Sequence, residues 1–215
     1  MIDLYTWTTP NGRKVSVMLE ETGLPYTVHP VNLQAEQQFS AEFTAITPNQ
    51  KIPAIVDHDV DRDVAGGPLA LFESGAILIY LAEKSGRFLS SEIRTRAASL
   101  QWLMFQMSHV GPIIGQAGHF MNQAPEKIPY AIQRFVGETL RILGVLDGAL
   151  ASREYLAGEY SIADMATYPW VEAAWTPLSS TLPEKIGELG NVRRWLDRIS
   201  ARPAVQRGMQ VPKTA

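Results

Sequence analysis

The chain has 215 residues, of which 19 are basic and 22 acidic, with four histidines, no cysteine and a formal net charge of −3. At 46 % hydrophobic and 9 % aromatic it can bury the core of one large or two small domains, and it is too apolar for a disordered chain. The mild acidity gives no pull on nucleic acid or anionic membrane, no apolar run reaches the roughly 20 residues that span a bilayer, and the absence of cysteine excludes disulfide staples, thiolate metal sites and a protein-borne thiol nucleophile.

The opening Met1-Ile2-Asp3-Leu4-Tyr5 lacks the charged and apolar regions of a signal peptide, so a cytoplasmic location is expected. Ile2 to Trp7 reads as a short strand, followed by a turn at Thr8-Thr9-Pro10-Asn11-Gly12. Lys14 to Thr22 reads as a helix with Val15, Met18 and Leu19 on one face and Gly23 as its C-cap. Tyr26 to Leu33 is strand-like, Phe39 to Ile46 is a short amphipathic segment, and Ile52 to Val56 is a strand that begins at a proline. Gly66-Gly67-Pro68 marks a turn, Leu69 to Phe72 a last short strand, and Ser74 to Lys84 a helix. The order is βαβαββα, in which a βαβ unit meets a ββα unit.

After residues 85–92, read as a linker, the pattern becomes helical. Arg94 to Val110 and Ile128 to Leu150 keep a 3.6-residue period, and Gly111-Pro112 is expected to kink or end the first of them. Ser161-Ile162-Ala163-Asp164 has the form of a capping box, and Val192 to Ser200 is a last helix stopped by Pro203. The fold class expected is therefore α/β plus all-α, with domains at 1–84 and 93–215. Histidines 29, 58, 109 and 119 show no metal-motif spacing, so no metal is expected.

Three short stretches admit a chemical reading beside a structural one. Ile52-Pro53 is either an edge-strand proline or a cis bond that turns the Ile52 backbone toward a groove, where a peptide-like ligand could pair with it. Glu73-Ser74-Gly75 opens a helix. Ser74 is either a plain N-cap or part of a carboxylate site at the helix N-terminus, with Glu73 beside it for an ammonium. Thr9-Pro10-Asn11-Gly12 is either a turn and cap or a pair of donors, Thr9 and Asn11, aimed at an anionic sulfur.

Taken in order on these elements, the stretches resemble the cytosolic glutathione transferases over nearly the whole chain, with a thioredoxin-like domain followed by a helical one. Thr9-Pro10-Asn11-Gly12, the run Pro48-Asn49-Gln50-Lys51-Ile52-Pro53-Ala54-Ile55-Val56-Asp57-His58, the run Leu71-Phe72-Glu73-Ser74-Gly75-Ala76-Ile77 and Ile128-Pro129-Tyr130-Ala131-Ile132-Gln133-Arg134 are similar to the bacterial Nu class. The resemblance implies that Glu73 and Ser74 take the γ-glutamyl end of glutathione and that Ile52, beside Pro53, takes the cysteinyl unit. It further implies that Gln38 and Lys51 take the glycyl end, that Thr9 and Asn11 face the sulfur, and that Arg134 lies near ligand carboxylates. For Gln38 and Arg134 a solvated helix position is the competing reading. Tyr5 is the only nearby phenol, and of Tyr5 and Trp7 one ring is expected in the core; Ser16 lies inside the first helix rather than at its mouth.

The same resemblance implies a glutathione-dependent thiol–disulfide oxidoreductase or transferase acting on small disulfides, with peroxides as a further class, and a homodimer with no nucleic-acid or membrane partner. Glutathione, reduced or oxidised, would be its cosubstrate, and apolar residues such as Trp102, Phe105, Met121 and Trp175 candidates for the second-substrate pocket. A non-catalytic binding protein on the same fold is the alternative.

Overall fold

The computed structural model describes residues 1–60 and 67–213, which form two compact units. The first comprises Met1–Arg87 together with Arg202–Ala215, and the second Phe88–Ala201.

In the first unit, β1 (Ile2–Thr6), α1 (Pro10–Thr22), β2 (Tyr26–Pro30), α2 (Ala41–Ile46), β3 (Ala54–Asp57), β4 (Leu69–Phe72) and α3 (Ser74–Ser85) follow one another in the expected βαβαββα order. The four strands lie in the order β2-β1-β3-β4. β1 and β2 are parallel, whereas β3 runs antiparallel to both β1 and β4. Helix α1 begins four residues earlier than its apolar periodicity suggests. Thr9 caps it by accepting the Gly12 N–H (3.2 Å), and Pro10, which has no N–H to leave unpaired, takes the first turn. It ends at Gly23, where φ is +73°. Gly12 allows the start of α1 to lie on the end of β1, since a Cβ there would fall 2.4 Å from both Thr6 Oγ1 and Trp7 O. Of the turn at Gly66-Gly67-Pro68, Gly66 lies outside the described residues, while Gly67 has a φ of +72°.

Tyr5 and Trp7 do not divide between core and surface. A strand period of two puts them on one face, and both are half-buried against Val31, Phe43, Ile52 and Ala54. Pro203 does not only stop the preceding helix; it starts α10 (Pro203–Gly208), which packs on α1 in the first unit. Gly208 permits this approach, because a Cβ would stand 2.5 Å from Val17 Cα; Ser16 Oγ donates to Gly208 O across the contact (2.7 Å). Arg202 and Arg207 pair with Glu21 and Glu20 of α1.

Asp57 closes the far end of β3. It is fully buried and accepts from Tyr80 Oη (2.6 Å) and the Asp59 N–H (2.8 Å), with Lys84 Nζ at 2.8 Å. Burial pushes its carboxyl up, but Lys84, Tyr80 and the backbone donor outweigh this and leave it below the ordinary carboxylate range. A depressed carboxyl stabilises the fold above its unfolded pKa and loses that contribution as pH falls through the folded value. Asp57→Asn is therefore expected to cost about 2–3 kcal/mol at pH 7, and less below about pH 4. Urea titrations of both proteins at the two pH values check this, and an equal cost at both would disprove the ionic account.

In the second unit, α4 (Ile93–Phe105), α5 (Gly111–Gly118), α6 (Pro129–Leu150), α7 (Ile162–Thr181), α8 (Pro183–Gly187) and α9 (Gly190–Ser200) pack around Leu103, Leu143, Leu146, Met165 and Trp195. Of the two outcomes expected at Gly111-Pro112, a kink or an end, the helix does not end there. A π-helical turn, Gln106–Val110, carries the backbone from α4 into α5, and Pro112 follows directly on that turn. A second π turn spans His119–Gln123. The Ser161–Asp164 capping box is present at the start of α7. Among the described residues no helix is long and apolar enough to cross a membrane.

Candidate functional site

The register of the sheet decides which sequence motifs meet. Tyr5 pairs with Ala54 and Ala54 with Phe72, so the C-terminal ends of β1 and β4 and the N-terminal end of β3 lie at one end of the sheet. Thr6 pairs with Pro30, which adds the end of β2. The residues that follow or precede these ends are Thr9 and Asn11, Ile52-Pro53, and Glu73-Ser74, three stretches spread along residues 9–74. Helices α1 and α3 both start there, so their free N–H groups and positive dipole ends are at the same end.

The Ile52-Pro53 bond is cis. The Ile52 side chain is buried with Val31, Phe43 and Ala54, while among the described residues neither its N–H nor its C=O is taken by a backbone hydrogen bond. That leaves a donor and an acceptor at one residue, the pattern an extended peptide ligand can pair with.

Ser74 is not the N-cap of α3 but its first residue, and Glu73 holds the cap position without a side-chain cap bond. Glu73 has φ +68° and ψ +111°, a conformation a non-glycine residue rarely adopts, and its side chain is exposed. Asn49 Nδ2 donates to Glu73 Oε1 at 3.5 Å. Ser74 is buried, and its Oγ accepts from Lys14 Nζ at 3.3 Å.

Lys14 is the residue that the sequence reading missed. Its side chain is 1 % exposed, and burial pushes its ammonium down to about 7, with Glu73 pulling the other way. The signal was available: Lys14 stands one turn before Met18, on the face of α1 that the apolar residues define.

The Thr9 hydroxyl is half-buried and accepts from Gly12, which leaves its hydrogen to donate; Asn11, also half-buried, is in the first turn of the same helix. Lys51 is exposed immediately before Ile52. Gln38 lies in a 3₁₀ turn, Gln37–Phe39, half-buried, with its Oε1 shielded from solvent and unpaired among the described residues. It is thus not the solvated helix position of the competing reading. Arg134 is exposed on α6 of the second unit. Also in that unit, Trp102 meets Phe105 edge-on at 5.5 Å, Phe105 stacks on His109 at 5.1 Å, and Met121 and Trp175 are half-buried. Burial, and then the charge of Asp3, push the Tyr5 phenol up, and its ring stacks on His29 at 4.8 Å. Among the described residues no group of three or more His, Asp or Glu side chains is arranged to hold a metal ion.

Comparison with known proteins agrees with this fold. Residues 1–83 match the glutathione S-transferase N-terminal domain and residues 129–198 the glutathione S-transferase C-terminal domain. The chain is similar to the disulfide-bond oxidoreductase YfcG of Escherichia coli, with 51 % identity over 95 % of this chain and 92 % of that protein. It is also similar to a glutathione transferase from Pseudomonas putida solved with one glutathione disulfide bound per subunit (46 % identity, TM-score 0.92, 98 % and 91 % coverage). A glutathione transferase from Burkholderia graminis, solved with two glutathione molecules per subunit, gives 45 % identity, a TM-score of 0.93, and 100 % and 89 % coverage.

Proposed function

The chain belongs to the glutathione transferase family, and from that premise we propose that it is a glutathione-dependent thiol–disulfide oxidoreductase acting on small disulfides. The observation that carries this reading is the meeting, at one end of one sheet, of two helix N-termini, the Ile52 backbone, which makes no backbone hydrogen bond among the described residues, and the Glu73-Ser74 pair, in a chain without cysteine. Its similarity to a disulfide-bond oxidoreductase and to two glutathione-bound transferases supports it.

In this reading Glu73 holds the α-ammonium and Ser74 the α-carboxylate of the γ-glutamyl unit, at the positive end of α3. The backbone of Ile52, turned by the bond to Pro53, pairs with the cysteinyl unit as an added strand. Lys51 and Gln38 serve the glycyl carboxylate, and Arg134 neutralises further ligand carboxylates. Apart from Arg134, the residues assigned these roles lie within 1–84. The four motif stretches support a bacterial Nu-class assignment, and we propose a homodimeric, cytoplasmic state on the same resemblance.

Glutathione supplies the sulfur chemistry: two thiols reduce one disulfide, yielding two thiols and glutathione disulfide. The protein, having no cysteine, contributes stabilisation of the thiolate. A thiol of pKa about 8.5 is only a few per cent ionised at neutral pH, and lowering it by about 1.5 units takes roughly 2 kcal/mol of preference for the anion. The Thr9 hydroxyl, the Asn11 amide and the dipole of α1 are of that size.

Thr9→Ala with Asn11→Ala is therefore expected to cut turnover at least about tenfold while glutathione binding changes little. Loss of the Thr9 cap also costs about 1 kcal/mol of stability, so Thr9→Ser, which keeps hydroxyl and cap, is expected to retain activity. The assay is glutathione-dependent reduction of a model disulfide, coupled to a reductase that regenerates glutathione. Wild-type turnover no faster than free glutathione would eliminate the enzymatic reading.

A further inference from the structure

Lysine is rarely buried unless a charge or a ligand rewards it. Lys14 lies in the interior of α1 with its ammonium 3.3 Å from Ser74 Oγ, directly behind the first turn of α3. Simple packing would be served by methionine at this position, with no ion to desolvate. Several other charged or polar groups of α1 and α3 have partners of their own, although Arg13 Nε is buried without a hydrogen-bond partner among the described residues. Glu20 and Glu21 of α1 pair with Arg207 and Arg202, and Lys84 and Tyr80 of α3 bind Asp57. The charge of Glu73 acts on Lys14, and in the proposed reading Glu73 is also the partner of the ligand's ammonium.

We propose that Lys14 is a positioning residue of the headgroup site, a buried cation that acts through Ser74 to hold the ligand's α-carboxylate and whose charge state sets glutathione affinity. The inference rests on Ser74 being the carboxylate-binding residue. The carboxylate would lie about two hydrogen-bond lengths from the ammonium, across one hydroxyl. At that separation in a partly desolvated site an ion pair is worth at least about tenfold in affinity. Because burial has lowered the Lys14 pKa to about 7, the free protein is substantially neutral at Lys14 above that pH. An arriving carboxylate favours the charged form, so binding takes up a proton. Affinity is then full below pH 7 and falls as pH rises toward 9.

The test uses S-methylglutathione, whose blocked sulfur cannot titrate, in calorimetry from pH 6 to pH 9 on the full-length protein. Expected for wild type is an affinity that falls about tenfold more over this range than that of Lys14→Gln, which keeps a donor to Ser74 but no charge. The ligand's amino group titrates alike with both proteins and cancels in the comparison. At pH 6, Lys14→Gln and Lys14→Met are expected to bind about tenfold more weakly than wild type. Wild type is also expected to take up a substantial fraction of a proton on binding at pH 8, measured in buffers of different ionisation enthalpy. This measurement needs no variant, so a failure of either substitution to fold leaves the proposal open to refutation. Wild type without proton uptake, or Lys14→Gln matching wild type in affinity and pH profile, overturns the role of Lys14. Should Ser74→Ala leave binding unchanged, the assignment of the carboxylate to the Ser74 hydroxyl is what fails.

Discussion

Ser74→Ala is expected to weaken glutathione binding roughly 10- to 150-fold, the equivalent of losing one hydrogen bond of about 1.5–3 kcal/mol to a charged partner. The position of Ser74 in the helix makes this a clean measurement. Glu73, not Ser74, occupies the cap, so removing the hydroxyl does not uncap α3. It does remove an acceptor from the buried Lys14 ammonium, which lowers the stability of the free protein. Binding is therefore best read by calorimetry on protein shown to be folded by its melting transition. An unchanged dissociation constant in folded Ser74→Ala would leave the serine a structural neighbour of Lys14 only. It would also move the carboxylate to the α3 backbone N–H groups alone.

Asp164→Ala is expected to cost about 3–5 kcal/mol, a large share of the roughly 5–15 kcal/mol that holds a typical domain together. Asp164 is fully buried and accepts from the Leu156 N–H (3.0 Å), the Ser161 N–H (3.1 Å), the Ser161 hydroxyl (3.3 Å) and Trp195 Nε1–H (2.9 Å). One carboxylate thus ties the start of α7 to the preceding loop and to α9. Alanine would leave three N–H donors buried without an acceptor, each at a desolvation cost. Asparagine keeps an oxygen for Leu156 and Trp195 but turns an NH₂ toward Ser161, so an intermediate loss is expected. Urea denaturation ranks the three proteins, and an Asp164→Ala loss below about 1 kcal/mol would disprove the account.

Much of the candidate site was legible because its signals are local. Proline before a strand marked Ile52-Pro53, and serine at the head of an apolar helical run marked Ser74. Thr9 was legible as a cap for the same reason, although its helix starts at Pro10, inside the segment read as a turn. Gln38 was marked only by family resemblance, since nothing in a polar Gln-Gln-Phe run shows that one amide oxygen becomes shielded. Lys14 was passed over because lysine is by habit a surface residue, although its helical phase put it on the apolar face.

The sequence by itself determined the order of elements over residues 1–84, the caps at Thr9, Gly23 and Ser161, and the absence of any thiol in the protein's own chemistry. Each of these depends on residues within one or two turns of one another, where sterics and nearest hydrogen bonds decide. Only the tertiary structure decided that Tyr5 and Trp7 share a face, that Pro112 sits within continuous helix after a π turn, and that residues 203–208 return to α1. It also decided the unusual backbone of Glu73 and the approach of Lys14 to Ser74. These outcomes depend on strand register and on packing between segments tens of residues apart. A burial pattern along the chain shows which side of an element faces inward, but not which residue waits there.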